Sequence, residues 1–483
     1  MIRHIKNLAR HSSVYTFSTF VQRTLGLIML PIYTDTAYIS SRSAYGDLTL
    51  VYTFIAFTTI VYLYGMDAAL LRYFFLGKFK RQDVYTTGFF AVLVNALVLS
   101  GLLFWQSDHV AELLLGEAQA YRYIRLAAGI LFLDGLGNLP YLVLRAEEKS
   151  VTYSLIRIGR FLLELTLNIV FVVGLHKGVI GILYANLIAS FLNLLILLPY
   201  QIKYLKGSFR METLKTLAAF ALPMLPNGLA YLTVEASDKY LMRLLLDKDS
   251  LGTYSANYKF GSIMLLVVIA FRTAWQPFFL RIAKEEKEPQ RIYARVMTYF
   301  TLMAAWLVAI GSYSLDYVVK MPLFGSRTLM GSSYWGGVEI IPLILTGYLF
   351  YGLYVNLTAG IYIRKKTGWM VLFTGIAALV NVGSNFYLMP HYGIIGAAVA
   401  TLLSYFVMAL SIFLAVRKIY PVRYEYGRIG FILLFLTLVL FVYYFWHPGI
   451  WPRLAVLAVF AGIFALFFLR KEERGRLSSI ISR

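Results

Sequence analysis

The sequence predicts an all-α protein that crosses a lipid bilayer many times, and three observations lead to this fold class. Of the 483 residues, 59% are hydrophobic and only 14% are charged, whereas about 25% of the residues in an average soluble domain are charged. Apolar stretches long enough to span the roughly 30 Å hydrocarbon core of a bilayer recur along the whole chain. A long segment of the first half also recurs in the second half. Together they predict a polytopic membrane protein with little room for a soluble domain.

Fourteen apolar spans follow one another along the chain. In order they cover residues 13–35, 46–71, 84–106, 119–144, 150–174, 178–200, 215–241, 251–279, 292–312, 334–362, 367–389, 393–416, 427–446 and 451–469. The seventh and tenth spans are the weakest because polar residues and prolines interrupt them. The basic N-terminal segment continues into a full apolar span without a small-residue cleavage pattern, which predicts a retained first helix.

Positive charge alternates between the loops that connect these spans. The chain has 45 Lys and Arg residues against 24 Asp and Glu residues, a formal net charge of +21. Most of the cations lie before the first span, after the last one and in the even-numbered loops, such as 203–215, 281–291 and 364–366. Because short cytoplasmic loops are enriched in Lys and Arg, both termini are predicted to be cytoplasmic. The same rule explains the basic composition without a nucleic-acid partner.

The chain contains an internal repeat. The stretch 149–181 aligns with 366–396, and AYGDLTLVYTF from Ala44 aligns with SLGTYSANYKF from Ser250. An even number of spans in each copy gives both copies the same orientation, so a pseudo-twofold axis along the membrane normal should relate them. The predicted units are an N-lobe of six helices, a C-lobe of six helices and two additional helices with a cytoplasmic tail, at residues 1–205, 206–420 and 421–483.

The fifth span carries a polar stripe. Arg157, Arg160, Glu164 and Asn168 are spaced by three, four and four residues, so they lie on one face of a helix. A charge at membrane depth costs about 2.5–3.5 kcal/mol on insertion scales, so this face should point to a partner helix or a watery cavity. The equivalent positions in the second copy are uncharged: Thr374, Ala377 and Asn381. The fold therefore does not require these charges, which favours substrate binding over a structural ion cluster, the alternative.

Three further cations are candidates for substrate binding. Arg23 lies in the middle of the first span, where it either lines a cavity or pairs with an acid of another helix. Arg272 lies deeper in the eighth span than the cytoplasmic loop, although its long side chain can reach the interface. Lys259 is thirteen residues before Arg272, roughly 220° away around a straight helix, so the two should not share a face unless the helix bends.

The deepest acids, Asp134 and Glu164, are candidates for ion coupling by a proton or a sodium ion. The alternative for Asp134 is an ion pair with Arg157 or Arg160. At the end of the seventh span, Glu235 and Lys239 have the spacing of an i,i+4 ion pair, which predicts an ion cluster at the outer rim.

The seventh span is interrupted by Pro223, Pro226 and Asn227. A proline inside a helix removes a hydrogen bond and kinks the helix. These residues are therefore predicted to act as a hinge that gates access, with a static kink as the alternative.

Enzyme chemistry finds little support in the sequence. There is no cysteine, and the six histidines lie in loops or at span ends without metal-ligand spacing. No phosphate-binding loop of the nucleotide-binding type is present. We therefore expect no catalytic residues, no cofactor and no metal site, and a protein that is not an enzyme.

Several stretches resemble the Wzx-type polysaccharide flippases. They are YGDLTLVYTFIAFTTIVYLYGMDAALLRYFF (Tyr45 to Phe75), LGTYSANYKF with AWQPFF (Leu251 to Phe279) and NVGSNFYLMPHYGIIGAAVATLLSY (Asn381 to Tyr405). The superfamily also contains the lipid II flippases and the multidrug MATE exporters. The resemblance implies two lobes around a cavity that alternates its opening in the bacterial inner membrane. It also implies a substrate of undecaprenyl diphosphate type that carries a sugar chain for a cell-surface polysaccharide such as O-antigen, and possible contact with the polymerase machinery.

Two rival functions remain open at this stage. A MATE-type exporter of organic cations should have an acidic or neutral cavity, and the stripe of the fifth span is net positive. A membrane enzyme that polymerises or ligates glycans usually needs a sizeable outer loop, but the longest one here, Ser312 to Tyr334, is short and has no histidine. The sequence thus favours a flippase that moves a lipid-linked oligosaccharide to the outer leaflet.

Overall fold

The computed structural model describes residues 26–76, 79–147, 149–323, 327–364, 366, 368–446 and 449–467. These residues form helices and connecting loops, with one isolated β-bridge between Pro322 and Thr328. We number the helices α1 Leu30–Tyr33, α2 Arg42–Leu63, α3 Met66–Leu76, α4 Arg81–Trp105, α5 Ser107–Leu115, α6 Tyr121–Ala146, α7 Ser150–Asn168, α8 Gly178–Tyr204, α9 Met211–Ala221, α10 Met224–Leu245, α11 Lys248–Gly261, α12 Ile263–Glu285, α13 Pro289–Val319, α14 Ile340–Ile363, α15 Gly368–Ile419, α16 Tyr426–Trp446 and α17 Ile450–Phe467.

Ten helices of the described chain are long and apolar enough to cross a membrane. One of them, α15, is 52 residues long and bends at Gly393, so it contains both the eleventh and the twelfth predicted spans. The predicted first span lies mostly outside the described residues, and the fifth is the helix with the charged stripe. The prediction of an all-helical chain with many apolar helices is confirmed, and the count of fourteen stays a prediction.

Two neighbouring spans are broken where they touch. Tyr64 and Gly65 both have positive φ and separate α2 from α3, while Leu222 and Pro223 separate α9 from α10. A Cβ at Gly65 would lie 2.3 Å from the carbonyl oxygen of Ala221. Only glycine permits both this φ and this close approach, so the two breaks form one joint between the second and seventh spans.

Most of the buried core lies in the second half of the chain. Helix α14 is enclosed by α12, α13 and α15 and buries most of its length. In the first half, α6 packs between α4 and α8. The last two helices lie against α13, where Arg453 of α17 pairs with Asp316 at 2.7 Å.

Helices α2 and α11 meet closely at their N-terminal ends, on the side predicted to be outer. A Cβ at Gly46 would lie 2.4 Å from the carbonyl oxygen of Lys248, and a Cβ at Gly252 would lie 2.1 Å from that of Arg42. In the aligned repeats Gly46 corresponds to Gly252 and Arg42 corresponds to Lys248. The contact is thus pseudo-symmetric, as the repeat predicts for elements that lie on opposite sides of a twofold axis.

Ion pairs surround this glycine contact. Arg42 pairs with Asp249 at 3.1 Å, and Lys248 pairs with Asp47 at 2.9 Å and with Glu117 at 3.0 Å. We refer to these five residues together with Gly46 and Gly252 as the outer closure. It joins helices from the two predicted lobes.

Candidate functional site

The polar stripe of α7 points into the protein, as its spacing predicts. The residues on the opposite face are exposed and apolar, with Val151, Leu155 and Leu162 each more than half exposed. Arg157 and Arg160 are half-buried and Asn168 is buried. A face of exposed leucine and valine is suited to lipid, so the charges face neighbouring helices and the space between them.

Arg160 pairs with Asp134 of α6. The two guanidinium nitrogens lie 2.9 and 3.0 Å from the two carboxylate oxygens of Asp134, and Nη2 also donates to Ser190 Oγ at 2.9 Å. Ser190 in turn donates to Asn186 of α8 at 3.3 Å. The sequence did not decide whether Asp134 would pair with Arg157 or with Arg160. In the structure its partner is Arg160.

Arg157 lies one turn away on the same face and is bounded by aromatic rings. Its guanidinium carbon lies 4.8 Å from the ring centre of Tyr141 and 5.0 Å from that of Tyr153. Tyr141 is held in place by a 2.6 Å hydrogen bond from its hydroxyl to Asn193. Stacking of a guanidinium on tyrosine faces fixes the plane of the group and leaves its edges as the donor side.

Glu164 completes the cluster. Among the described residues its carboxylate makes no ion pair or hydrogen bond, and its carbonyl oxygen accepts a 2.8 Å hydrogen bond from Asn168. Asn168 accepts a 3.0 Å hydrogen bond from the hydroxyl of Tyr33 in α1. The two arginines and the two acids, Asp134 and Glu164, cancel in formal charge. The stripe alone, with two arginines and Glu164, is net positive, as the sequence predicts. The cluster is neutral because Asp134 joins it from another helix.

The equivalent face of the second copy is closed. Thr374, Ala377 and Asn381 are all buried, and Asn381 accepts a 2.8 Å hydrogen bond from Ser237 of α10. In that copy the neighbouring helix fills the space that the charged cluster occupies in the first. Among the described residues, the charges of the α7 stripe therefore have no counterpart at the equivalent positions of the second half.

Lys259 and Arg272 line two different cavities. Lys259 donates to the carbonyl oxygen of Gly26 at 3.1 Å and borders a cavity of about 160 Å³. Arg272 donates to the hydroxyl of Tyr351 at 3.3 Å and borders a cavity of about 200 Å³ that is lined by aromatic residues. The helix bends between them at Ser262, yet the two cavities share no residue. Arg23 lies outside the described residues.

A second polar cluster lies in the second half of the chain, and its contacts differ from those that the sequence predicted. Glu235 accepts hydrogen bonds from Tyr348 at 2.8 Å and from Tyr405 at 2.6 Å, while Lys239 lies 3.4 Å from Asp238. The predicted ion pair between Glu235 and Lys239 is therefore wrong, because the contact that Lys239 makes with Glu235 is to its backbone oxygen. The spacing rule considers one helix alone, whereas tyrosines of α14 and α15 supply the donors here.

The proline-rich break in the seventh span is present. Pro223 precedes α10, and Pro226 lies in its first turn. Backbone N–H groups in the first turn have no partner within the helix, so the missing N–H of Pro226 costs no helical hydrogen bond. Asn227 accepts a 3.4 Å hydrogen bond from Thr374 of α15. The partner break at Tyr64 and Gly65 was not predicted, although a glycine within the second span was a visible signal.

Comparisons with known proteins agree with this architecture. Residues 36–329 match a family model described as polysaccharide biosynthesis protein. A protein of the Lsg locus of Haemophilus influenzae is 22% identical over 370 residues, which cover 71% of this chain and 84% of that protein.

Solved transporters share the fold. The lipid II flippase MurJ in an inward closed conformation superposes with a TM-score of 0.72 at 16% identity, covering 94% of this chain and 99% of MurJ. An inward-facing multidrug resistance MATE transporter of the MOP superfamily gives 0.64 at 15% identity, covering 85% and 95%. The ten apolar helices of the described chain and this fold describe a multi-pass membrane protein.

Proposed function

The chain belongs to a family of polysaccharide biosynthesis proteins, and from this premise we propose that it flips a lipid-linked oligosaccharide across the membrane. The substrate is an isoprenoid diphosphate of the undecaprenyl type that carries a sugar chain, moved from the cytoplasmic to the outer leaflet of the bacterial inner membrane. Both the family and the MurJ-like fold support a lipid-linked substrate of this class.

The observation that carries the proposal is the pair of guanidiniums on the inner face of α7. Arg157 and Arg160 lie one turn apart, and each is oriented by neighbours rather than left to rotate: Tyr141 and Tyr153 for the first, Asp134 and Ser190 for the second. A guanidinium binds phosphate oxygens through its planar fork, and two of them one turn apart match a diphosphate. Arg23, Lys259 and Arg272 are further cations on the proposed path.

Alternating access requires one end of the transporter to be closed while the other admits substrate. In our proposal the outer closure keeps the outer end shut in the conformation described here. The joint between Gly65 and Pro223, together with Pro226 and Asn227, is the proposed hinge, since it links a helix of each lobe. In this scheme both termini are cytoplasmic, and thiols introduced at the exposed positions His109 and Lys206 should label from outside and from inside, respectively.

Because the sequence contains no phosphate-binding loop of the nucleotide-binding type, we propose coupling to a proton or a sodium ion. Glu164 is the better of the two candidate acids, because Asp134 is already neutralised by Arg160. Uptake of a cation by Glu164 would leave the cluster with a net positive charge, which favours an anionic substrate.

The test is export of the glycan in cells that lack this protein, with abundance measured in the same samples. Arg157→Ala and Arg160→Ala should abolish export, and lysine at either position should restore it only in part because it keeps the charge but loses the fork. Arg122→Ala is the matched control, since Arg122 is an exposed arginine of α6 away from the cluster. Export that persists in both alanine variants would remove the substrate role of α7.

One observation favours a second function, the export of organic cations. The α7 cluster is formally neutral, and Glu235 and Asp238 place two carboxylates inside the C-lobe. A cation exporter would transport a fluorescent organic cation in vesicles and would lose that transport in Glu235→Gln. The flippase predicts no such transport, and polymerisation of glycans by the purified protein would instead point to the third candidate, a membrane enzyme.

A further inference from the structure

A basic cavity lies outside the proposed transport path, at the end of the molecule predicted to be cytoplasmic. It has a volume of about 450 Å³ and lies between the turn that joins α14 to α15 and the last turn of α15. Its lining residues are Arg364, Lys366, Trp369, Ala415, Lys418 and Ile419. It shares no residue with the cavities of Lys259 and Arg272.

The cations of this cavity lack the acidic partners that other cations on the same side possess. Lys203 pairs with Glu147, Arg210 with Asp83, and Arg291 with Glu288. Across the described part of the chain, Arg364, Lys366 and Lys418 form no ion pair, and Arg364 instead lies over the ring of Tyr420 at 5.7 Å. Three cations gathered around one cavity without a carboxylate repel each other, and a bound anion would remove that repulsion.

An apolar strip leads from this cavity along the outside of α15. Phe406, Leu410 and Leu414 are spaced by four residues, each is at least 40% exposed, and the next position in the series is Lys418. Residues four apart lie on one face of a helix, so the strip ends at the cavity. Trp369 lies at the mouth and is 43% exposed, which is typical of tryptophan at the boundary between lipid and water.

We propose that this cavity binds the phosphate headgroup of an anionic phospholipid from the surrounding leaflet, with an acyl chain along Phe406, Leu410 and Leu414. A basic cavity accounts for the anion, and the exposed strip accounts for an attached hydrocarbon chain. Basic pockets between helices on the cytoplasmic side are suited to such headgroups. The strip faces outward, which assigns the ligand to the bulk bilayer and not to the transported substrate.

Native mass spectrometry of the full-length protein in detergent tests this assignment. The protein is titrated with phosphatidylglycerol or with phosphatidylcholine, and the variant Arg364→Ala/Lys418→Ala is compared with Lys284→Ala/Arg291→Ala. Both variants lose one arginine and one lysine on the same side, so they match in charge. We expect tight binding of phosphatidylglycerol to weaken about tenfold or more in the first variant and to stay within about twofold in the second.

Three further results complete the test. The variant Arg364→Lys/Lys418→Arg keeps both charges and should retain binding, and an unchanged melting temperature of Arg364→Ala/Lys418→Ala would show that its loss of binding is not caused by misfolding. Equal weakening in both alanine variants, or none in either, would overturn the proposal, because binding would then follow net charge or lie elsewhere. Displacement of phosphatidylglycerol from this cavity by undecaprenyl diphosphate, one molecule for one, would also overturn it by assigning the site to the transported lipid.

Discussion

The outer closure provides the sharpest test of how this protein changes conformation. At Gly252 an added Cβ would lie 2.1 Å from the carbonyl oxygen of Arg42, and at Gly46 it would lie 2.4 Å from that of Lys248. Backbone atoms cannot rotate away as a side chain can. Gly252→Ala therefore requires α2 and α11 to separate by about 1 Å, which is the kind of backbone shift that overpacking forces in protein cores.

The expected shift in population follows from that separation. Overpacking of this kind costs about 1–3 kcal/mol, and each 1.4 kcal/mol changes an equilibrium roughly tenfold. The variant should therefore move the closed-to-open ratio at the outer end by about fivefold to a hundredfold. Because the two contacts are related by the repeat, Gly46→Ala should act in the same direction.

Pulsed electron paramagnetic resonance measures this ratio directly. The chain contains no cysteine, so Gln119→Cys and Ser332→Cys place one spin label on each half of the molecule at exposed positions. Gly252→Ala should add a population at longer distance, whereas the control Gly375→Ala should not, since an added Cβ there meets no atom within 4 Å. A distance distribution that stays unchanged in Gly252→Ala would show that α2 and α11 do not close the outer end.

Three further outcomes are expected. Arg160→Ala should reduce thermal stability by about 3 kcal/mol or less, because Asp134 loses the partner of a partly buried pair; the double variant with Asp134→Ala should recover stability but not export, and recovered export would make the pair purely structural. Glu164→Gln should abolish the response of vesicle transport to an imposed proton or sodium gradient, and a preserved response would exclude this acid. Burial alone raises the pKa of Glu147, but hydrogen bonds from Lys149, Lys203 and Tyr204 outweigh it and lower the pKa to about 2. The folded protein is therefore stabilised by this group above the ordinary pKa of 4.5 and loses that stabilisation as the pH falls towards 2. The thermal stability of Glu147→Gln should be lower than that of the unaltered protein by roughly 1 kcal/mol at neutral pH, and the difference should disappear as the pH falls below about 2.

Local periodicity was enough to predict the inner face of α7, because a helix places residues three and four apart on one side whatever surrounds it. The partner of Arg160 could not be predicted in the same way. Asp134 and Ser190 come from other helices, and their register against α7 is set by packing. The resemblance to polysaccharide flippases is confirmed by the family match and the transporter fold.

The errors have the same physical origin. Glu235 and Lys239 fit the spacing of an ion pair on an isolated helix, but Tyr348 and Tyr405 lie closer to the carboxylate. The break at Gly65 was missed because glycine is common in membrane helices and does not by itself end one. A Cβ at Gly65 would also lie 2.3 Å from the carbonyl oxygen of Ala221 at the end of α9, and that approach is a property of the folded protein that the sequence does not show.

The two halves of the chain share the closure but not the charged cluster, and this difference predicts a last result. Ala377 of α15 is the counterpart of Arg160 and is completely buried. An arginine there would be surrounded by packed side chains, without the Asp134 partner that the first half supplies, so Ala377→Arg should reduce the amount of protein in the membrane several-fold. Ala377→Leu controls for the added volume and should have a smaller effect. Normal abundance of Ala377→Arg would mean that the second half can hold the same charge. The space around α7 would then not explain why the charges of its stripe have no counterpart at the equivalent positions of the second half.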